Sequence, residues 1–292
     1  MEFLSKRFTI LLWPGSLGSE IDIMPNIKSQ ILDDILKELD SFVIAFSGGV
    51  DSSFLLHRSN KVRKSAIIAV TIRTPYIPSQ EIAEAAEFSQ IHGIKHKILD
   101  ISFPDEIRNN PVERCYLCKK SLFTELVAFA RVHNYKYVVD GSNADDLDDF
   151  RPGMKALNEM GIRSPLLEAG LTKKEIRLLS RNDGLEFWDK PAMACLLTRI
   201  PYNTEIKEGM LRMIEKAESI LFDKGYPGVR VRVHGELARI ECLPGYMEKI
   251  IRNPEKEDII SQLKKIGFRY VSLDLEGYRT GSSNPEPAKN PY

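Results

Sequence analysis

The chain is poor in cysteine, tryptophan and histidine, with four, two and five in 292 residues, and it has no net charge. So few cysteines exclude a disulfide-stapled scaffold, and a chain this long can bury a core without them. The 41 lysines and arginines balance 41 aspartates and glutamates. That balance argues against a partner in nucleic acid or an anionic membrane, leaving only local basic runs such as Lys61-Val62-Arg63-Lys64. No run approaches the roughly 18 apolar residues of a membrane helix. The apolar stretch Phe8–Trp13, behind Lys6 and Arg7, is too short for a secretory leader and no clean cleavage site follows it. The expected location is the cytoplasm.

What is present reads as globular. The chain is 43% hydrophobic and 28% charged, and its length suggests two domains. Residues 1–25 are expected to be a poorly ordered extension, with Met24 a better start. Apolar residues at 27, 31, 32, 35, 36 and 39 give a helix with one buried face. Phe42–Phe46 is a continuous apolar run, as in a strand covered on both faces. Ala66–Ile72, His96–Ile101 and Tyr137–Val139 repeat the theme, with helical patterns over 52–59, 79–92 and 117–133 between them. This alternation predicts an α/β domain over 26–184, a doubly wound, mainly parallel sheet. Thr172 and Glu175 form a capping box for a helix to about Arg181. Beyond 184 the rhythm changes. A helix over 204–222, strands Val229–Val233 and Leu237–Cys242 about a turn at His234-Gly235, a helix over 255–265 and a strand at Tyr270–Leu273 predict a smaller α+β domain over 185–281. Residues 282–292, with three prolines, read as a disordered tail.

Ser47-Gly48-Gly49-Val50-Asp51-Ser52-Ser53 follows the first strand and opens a helix. There an α/β sheet binds anions, through free N–H groups and the helix dipole. Paired glycines allow a tight turn and close approach, and the serines add donors. The plainer alternative is a turn that only caps a helix. No Gly-Lys-Ser/Thr follows, so this is not a Walker loop. A second loop, Asp140-Gly141-Ser142-Asn143-Ala144-Asp145-Asp146, leaves the fourth strand at the same edge. Asp145 and Asp146 offer hard oxygens for Mg²⁺, and Arg151 suits a phosphate or carboxylate. The alternative there is an exposed acidic turn.

Cys115 and Cys118 are spaced CxxC before a helix, and Cys195 lies far along in Lys190-Pro191-Ala192-Met193-Ala194-Cys195. The three could hold an iron–sulfur cluster with one open iron, or zinc; the pair could be a redox couple, or all could be bystanders. Cys242, within a strand pattern, is expected to be structural.

SGGVDSS resembles the PP-loop of the ATP pyrophosphatase superfamily, which implies cleavage of ATP between its α and β phosphates and transfer of AMP. In that setting the second strand, ending at Thr71, would contact adenine. Together with NPVERCYLCKKSLF (110–123), DGSNADDLDDFRPG (140–153), WDKPAMACLLTRIPY (188–202), RVRVHGELARIE (230–241) and LDLEGYRTGS (273–282), the sequence resembles the LarE family of ATP-dependent sulfur transferases, over about residues 26–282. The resemblance implies adenylation of a carboxylate of a pyridinium dicarboxylate mononucleotide, then displacement of AMP by sulfur to give a thiocarboxylate, for assembly of the nickel-pincer cofactor. It implies ATP and Mg²⁺, with Ser47 and Asp51 in catalysis and Ser47, Gly48, Gly49, Asp51, Ser52, Ser53, Thr71, Gly141, Asn143 and Arg151 around the nucleotide. In one class of the family a single cysteine, matching Cys195, gives up its sulfur. In the other, three cysteines matching Cys115, Cys118 and Cys195 hold a [4Fe-4S] cluster whose open iron carries an extra sulfide; this chain has all three. Arg199, Arg230, Arg232 and Arg279, with Glu218, become substrate-binding candidates, against a reading as ordinary surface pairs. A homo-oligomer is implied. Asn203 stands where family members commonly have glycine, and asparagine tolerates a left-handed turn. Three other readings remain: a PP-loop tRNA thiolase with a cluster, an amide-forming synthetase, and a non-catalytic nucleotide-binding zinc protein.

Overall fold

The computed structural model describes residues 20–63, 66–147, 152–191 and 194–279, with backbone alone for 20–23. Helix α1 (Glu20–Glu38) leads into strand β1 (Phe42–Ala45), helix α2 (Val50–Arg63), strand β2 (Ile67–Arg73), helix α3 (Ser79–Ile91) and strand β3 (His96–Asp100). Helix α4 (Arg114–Val132) then returns the chain to strand β4 (Tyr137–Val139). The four strands form an all-parallel sheet in the order β3-β2-β1-β4, as the alternation predicted. The sheet grows outward from β1 to β3, then resumes on the other side of β1. Two loops therefore diverge at the C-terminal ends of β1 and β4, and a crevice opens between them.

Both faces of the sheet are covered. Phe42 and Ile44 join the core with Leu32 and Leu36 of α1 and Phe54 and Leu55 of α2. Val43, between them, points to the opposite core with Phe123 and Leu126 of α4. This strict alternation explains why β1 reads as an unbroken apolar run. Short helices α5 (Pro152–Glu159) and α6 (Pro165–Glu168) precede helix α7 (Lys173–Asn182), which starts on the expected capping box: the Thr172 hydroxyl accepts the Glu175 N–H, and the Glu175 carboxylate accepts the Thr172 N–H at 2.8 Å.

The smaller sheet holds β5 (Arg230–His234), β6 (Leu237–Glu241) and β7 (Tyr270–Leu273). β5 and β6 are antiparallel, and β6 and β7 parallel. Helices α8 (Glu208–Asp223), α9 (Pro244–Ile251) and α10 (Lys256–Lys265) complete it. Its core includes Leu211, Ile214, Val231 and Ile240, but also Tyr76 and Ile107 from the connections of the first sheet.

Polar contacts run along the same seam. The Leu196 N–H donates to the Tyr76 carbonyl (2.9 Å), and the Ile206 N–H to the Arg108 carbonyl (2.7 Å). Buried Asn110 donates its amide to the carbonyls of Ile200 (2.9 Å) and Pro201 (3.0 Å) and accepts the Asn203 N–H on its own carbonyl (3.0 Å). Asn203 takes the left-handed conformation, φ +57°, that its place in the turn requires.

Several expectations shift. α1 begins at Glu20, inside the segment expected to be an extension; residues 1–19 and 280–292, which include the tail, lie outside the described residues. α4 begins at Arg114, three residues early, so Cys115 falls in its first turn. α5, α6 and α9 had no counterpart in the pattern; each starts on a proline at or near the first helical position and is too short to show a period.

Gly141, just after β4, packs so tightly on α2 that an added Cβ would stand 3.0 Å from the Ser52 nitrogen and 3.1 Å from its Cα. Both are backbone, so neither can swing away. Gly141→Ala is expected to lose about 1–3 kcal/mol of stability by overpacking, measured by urea denaturation.

Candidate active site

Phe46 continues β1 by donating its N–H to the Val70 carbonyl (2.9 Å), and Ser47-Gly48-Gly49 then leaves the sheet. Gly48 has φ +71°, and a Cβ there would stand 3.3 Å from the Ala85 Cβ and 3.4 Å from the Glu81 carbonyl oxygen. Glycine alone suits both the conformation and the close packing of α3. The Ser47 hydroxyl accepts the Gly49 N–H (3.3 Å) and lies 3.0 Å from the Ser52 hydroxyl, which donates to the Gly49 carbonyl (3.2 Å). Ser53 is buried and bonds back to the Gly49 carbonyl through its N–H (2.9 Å). N–H groups before it in the first turn of α2 have no intrahelical acceptor, and the helix dipole adds positive potential. The loop is thus built for an anion at the mouth of the crevice.

Across the crevice, Asp140 is buried and accepts the hydroxyls of Ser142 (2.5 Å) and Ser164 (2.6 Å). The Asn143 N–H donates to Asp146 (3.0 Å), and Asp145 accepts the Lys173 N–H (2.9 Å). Each of the two carboxylates proposed for Mg²⁺ therefore already fixes backbone. Asp51 fits a cation better. Lys173 is ion-paired with its Oδ2, while its Oδ1 is buried with no hydrogen-bond partner. Burial pushes the Asp51 carboxyl up against the pull of Lys173, and the Asp146 charge adds to the rise. The unpartnered oxygen, with the Asp146 charge nearby, is the donor type a divalent ion takes, while the Lys173 ammonium on the other oxygen is a charge such an ion would have to displace. Thr71 reaches the same space, but its hydroxyl donates to the Phe46 carbonyl (2.7 Å) and lies 2.8 Å from His96 Nε2. Arg151 lies outside the described residues.

The crevice opens into a cavity of about 840 Å³ whose wall runs from Ser47 and Asp51 through Asn143 and Lys173 to Lys190 and Cys195. Lys190 donates to the Gly48 carbonyl (3.0 Å) and pairs with Glu84. Cys195 arrives there because the segment after it is pinned: Leu196 to Tyr76, and Ile200 and Pro201 to Asn110. The same Asn110 precedes α4 and its cysteines. Cys115 is exposed; Cys118 and Cys195 are half-buried against the smaller core. The Tyr76 hydroxyl lies 3.2 Å from Cys118 Sγ. Burial pushes the Cys118 thiol up to about 12, with the charges of Cys195 and Cys115 adding to the rise, and burial also raises Cys195, with Cys115 adding. The three thiols thus share one neighbourhood. Among the described residues, no three histidine, cysteine or acidic side chains close around a single point as one zinc ion requires. Three thiols are the donor type that an iron–sulfur cluster takes. Cys242 is buried in the smaller core, as expected of a structural residue.

The arginines are largely turned inward. Arg199 is 1% exposed and grips Glu218 through Nε (2.8 Å) and Nη2 (2.9 Å), while Nη1 donates to the carbonyls of Ala194 (2.8 Å) and Cys195 (3.2 Å). Glu218 also accepts the Val231 N–H (2.9 Å). This pair holds the Cys195 segment against α8 and β5. Arg232 is buried on Glu241 and the Thr198 carbonyl (2.6 Å). Arg230, also buried, stacks over Tyr278 at 5.3 Å. Arg279 is exposed, pairs with Glu276, and is not drawn into this group.

Glu81, in the first turn of α3, lines the cavity and had no sequence signal beyond a polar helix position. Among the described residues its carboxyl has no hydrogen bond or ion pair. Burial pushes it up to about 7, against the charges of Lys190, Arg199 and Arg230. The neutral carboxyl is thus favoured by folding. Its contribution is complete below the ordinary value of 4.5 and is lost as the pH rises through about 7. Glu81→Gln is therefore expected to melt with the wild type at acid pH and above it at alkaline pH, read by thermal denaturation across that window.

No family model matches the chain. It is 39% identical over 262 residues to an uncharacterised protein of Synechocystis, covering 88% of this chain and 97% of that one. It is 37% identical over 238 residues to an uncharacterised protein of Methanocaldococcus jannaschii, covering 82% and 90%. It is 34% identical over 260 residues to the pyridinium-3,5-bisthiocarboxylic acid mononucleotide synthase of Lactiplantibacillus plantarum, covering 88% of this chain and 94% of that enzyme. At that identity and coverage, the chain belongs to the family of this synthase, the LarE family.

Proposed function

We propose that the chain is an ATP-dependent sulfur transferase that converts a carboxylate of pyridinium-3,5-biscarboxylic acid mononucleotide into a thiocarboxylate, for nickel-pincer cofactor assembly. One observation carries this reading: the phosphate loop and Cys195 line the same cavity, in a chain of this family. A carboxylate cannot be displaced by sulfur directly, because oxide is a poor leaving group. Adenylation removes that obstacle. A carboxylate oxygen attacks the α-phosphorus of ATP, the bond to the β-phosphate breaks and pyrophosphate leaves. Sulfur then attacks the acyl carbon, and the carbon–oxygen bond to AMP breaks.

The chain's own groups divide this work. The Ser47–Gly49 turn and the first N–H groups of α2 hold the phosphates, with Ser52 and Asn143 at the rim. Lys173 and Lys190 supply positive charge as pyrophosphate forms. Asp51 would hold Mg²⁺ with its free oxygen, Asp145 and Asp146 standing behind it. Cys115, Cys118 and Cys195 would hold a [4Fe-4S] cluster, which when bound supplies sulfide for transfer. Arg230 meets the substrate's anionic groups, while Arg199 and Glu218 position the Cys195 backbone.

Ser47→Ala and Asp51→Ala should each lower pyrophosphate release by about 100-fold or more while the chain still folds. Cys195→Ala should keep pyrophosphate release and lose thiocarboxylate, measured by mass spectrometry of the product. Full sulfur transfer by that variant would remove Cys195 from the mechanism.

A further inference from the structure

Among the described residues four arginines are buried: Arg114, Arg199, Arg230 and Arg232. Three of them have polar partners. Arg199 has Glu218, Arg232 has Glu241, and Arg230 donates to the Val229 carbonyl (2.9 Å). Arg114 differs. It is 3% exposed, yet its Nε and Nη1 have no hydrogen-bond partner, and no carboxylate pairs with it among the described residues. Its one contact of note is the face of Tyr202, with the guanidinium carbon 4.0 Å from the ring centroid. A cation–π contact of this kind recovers only part of what it costs to bury an unpaired charge. The balance is unfavourable, so the fold keeps a guanidinium where the protein alone does not satisfy it.

Its position names the missing charge. Arg114 directly precedes Cys115 in the first turn of α4, and its charge reaches Cys195, where it works against the effect of burial. Tyr202, which holds it, sits on the turn that Asn110 ties down beside the cysteines. Resting on the cluster reading of Cys115, Cys118 and Cys195, we propose that Arg114 is the counter-ion of an anionic metal–thiolate group held by these three residues. Three thiolates on a doubly charged cluster leave a net negative charge, and one more electron deepens it. A fixed guanidinium at the start of the same helix turn stabilises that charge and favours the reduced form. Arg114 is a positioning residue in this account and does not touch the reacting carbon.

The test uses the full chain in two variants, Arg114→Met, which keeps length and loses charge, and Arg114→Lys, which keeps charge. Each is measured metal-free by thermal melting, then after anaerobic loading with ferrous iron and sulfide. Loss of iron to a chelator and the reduction potential are then followed. Metal-free Arg114→Met should melt at or above the wild type, because an unpaired buried charge is gone. After loading it should lose iron at least about tenfold faster, with a lower potential, and Arg114→Lys should restore most of both. Equal iron retention and potential in wild type and Arg114→Met would overturn the proposal alone. So would an equal loss of melting temperature in the metal-free and loaded states, which is what a purely structural stack on Tyr202 gives. A wild-type chain that takes up no iron would overturn the cluster reading and the proposal with it.

Discussion

The change of direction at β1 is the constraint on which the site depends. Parallel strands all end at one edge, and the loops leaving adjacent strands normally turn toward the same face. Here β2 and β3 are added on one side of β1 and β4 on the other, so the loops after β1 and β4 part and leave a crevice. Gly48 and Gly141 are the two positions where this becomes steric. The first lets α3 press on the phosphate loop, and the second lets the β4 loop lie against the backbone of α2. A side chain at Gly48 would strain its positive φ, and a methyl group at Gly141 would press on the α2 backbone.

A second constraint brings sulfur chemistry to that crevice. Asn110 and Arg199 are buried polar side chains that donate to backbone carbonyls of the 194–201 segment, Arg199 while it also grips Glu218. Unmade hydrogen bonds in the interior are costly, so these contacts fix the segment firmly. Cys195 then faces the cavity that the phosphate loop opens, and α4 presents Cys115 and Cys118 alongside. The phosphate loop and Cys195, to which the proposal assigns nucleotide activation and sulfur delivery, thereby line a single chamber.

The first sheet was legible because β1 is apolar on both faces and strand-length apolar runs recur at intervals a helix fills. The loop after β1 was legible as a strand–helix junction because a glycine pair and serines there suit a tight turn into a helix. The roles of the arginines were not. Arg199 and Arg232 lie in motifs that suggest anion clamps, but whether a guanidinium faces a ligand or a carboxylate such as Glu218 depends on packing between segments far apart in the chain. Asp51 shows the reverse. Its residue type and place in the loop marked it as important, while its orphaned oxygen and its contact with Lys173, 122 residues away, appear only in three dimensions. Glu81 and Arg114 gave no sequence signal as such, because only burial makes a common charged residue unusual.

The central claim is that a carboxylate is adenylated before sulfur reaches it. The most direct measurement uses substrate with ¹⁸O in its carboxylates, ATP and the sulfur-loaded chain, followed by mass spectrometry of the nucleotide. The account predicts one ¹⁸O in the phosphate of AMP for each thiocarboxylate formed, because that oxygen leaves with the adenylate. Thiocarboxylate formed with unlabelled AMP, or with ADP and labelled inorganic phosphate, would contradict it.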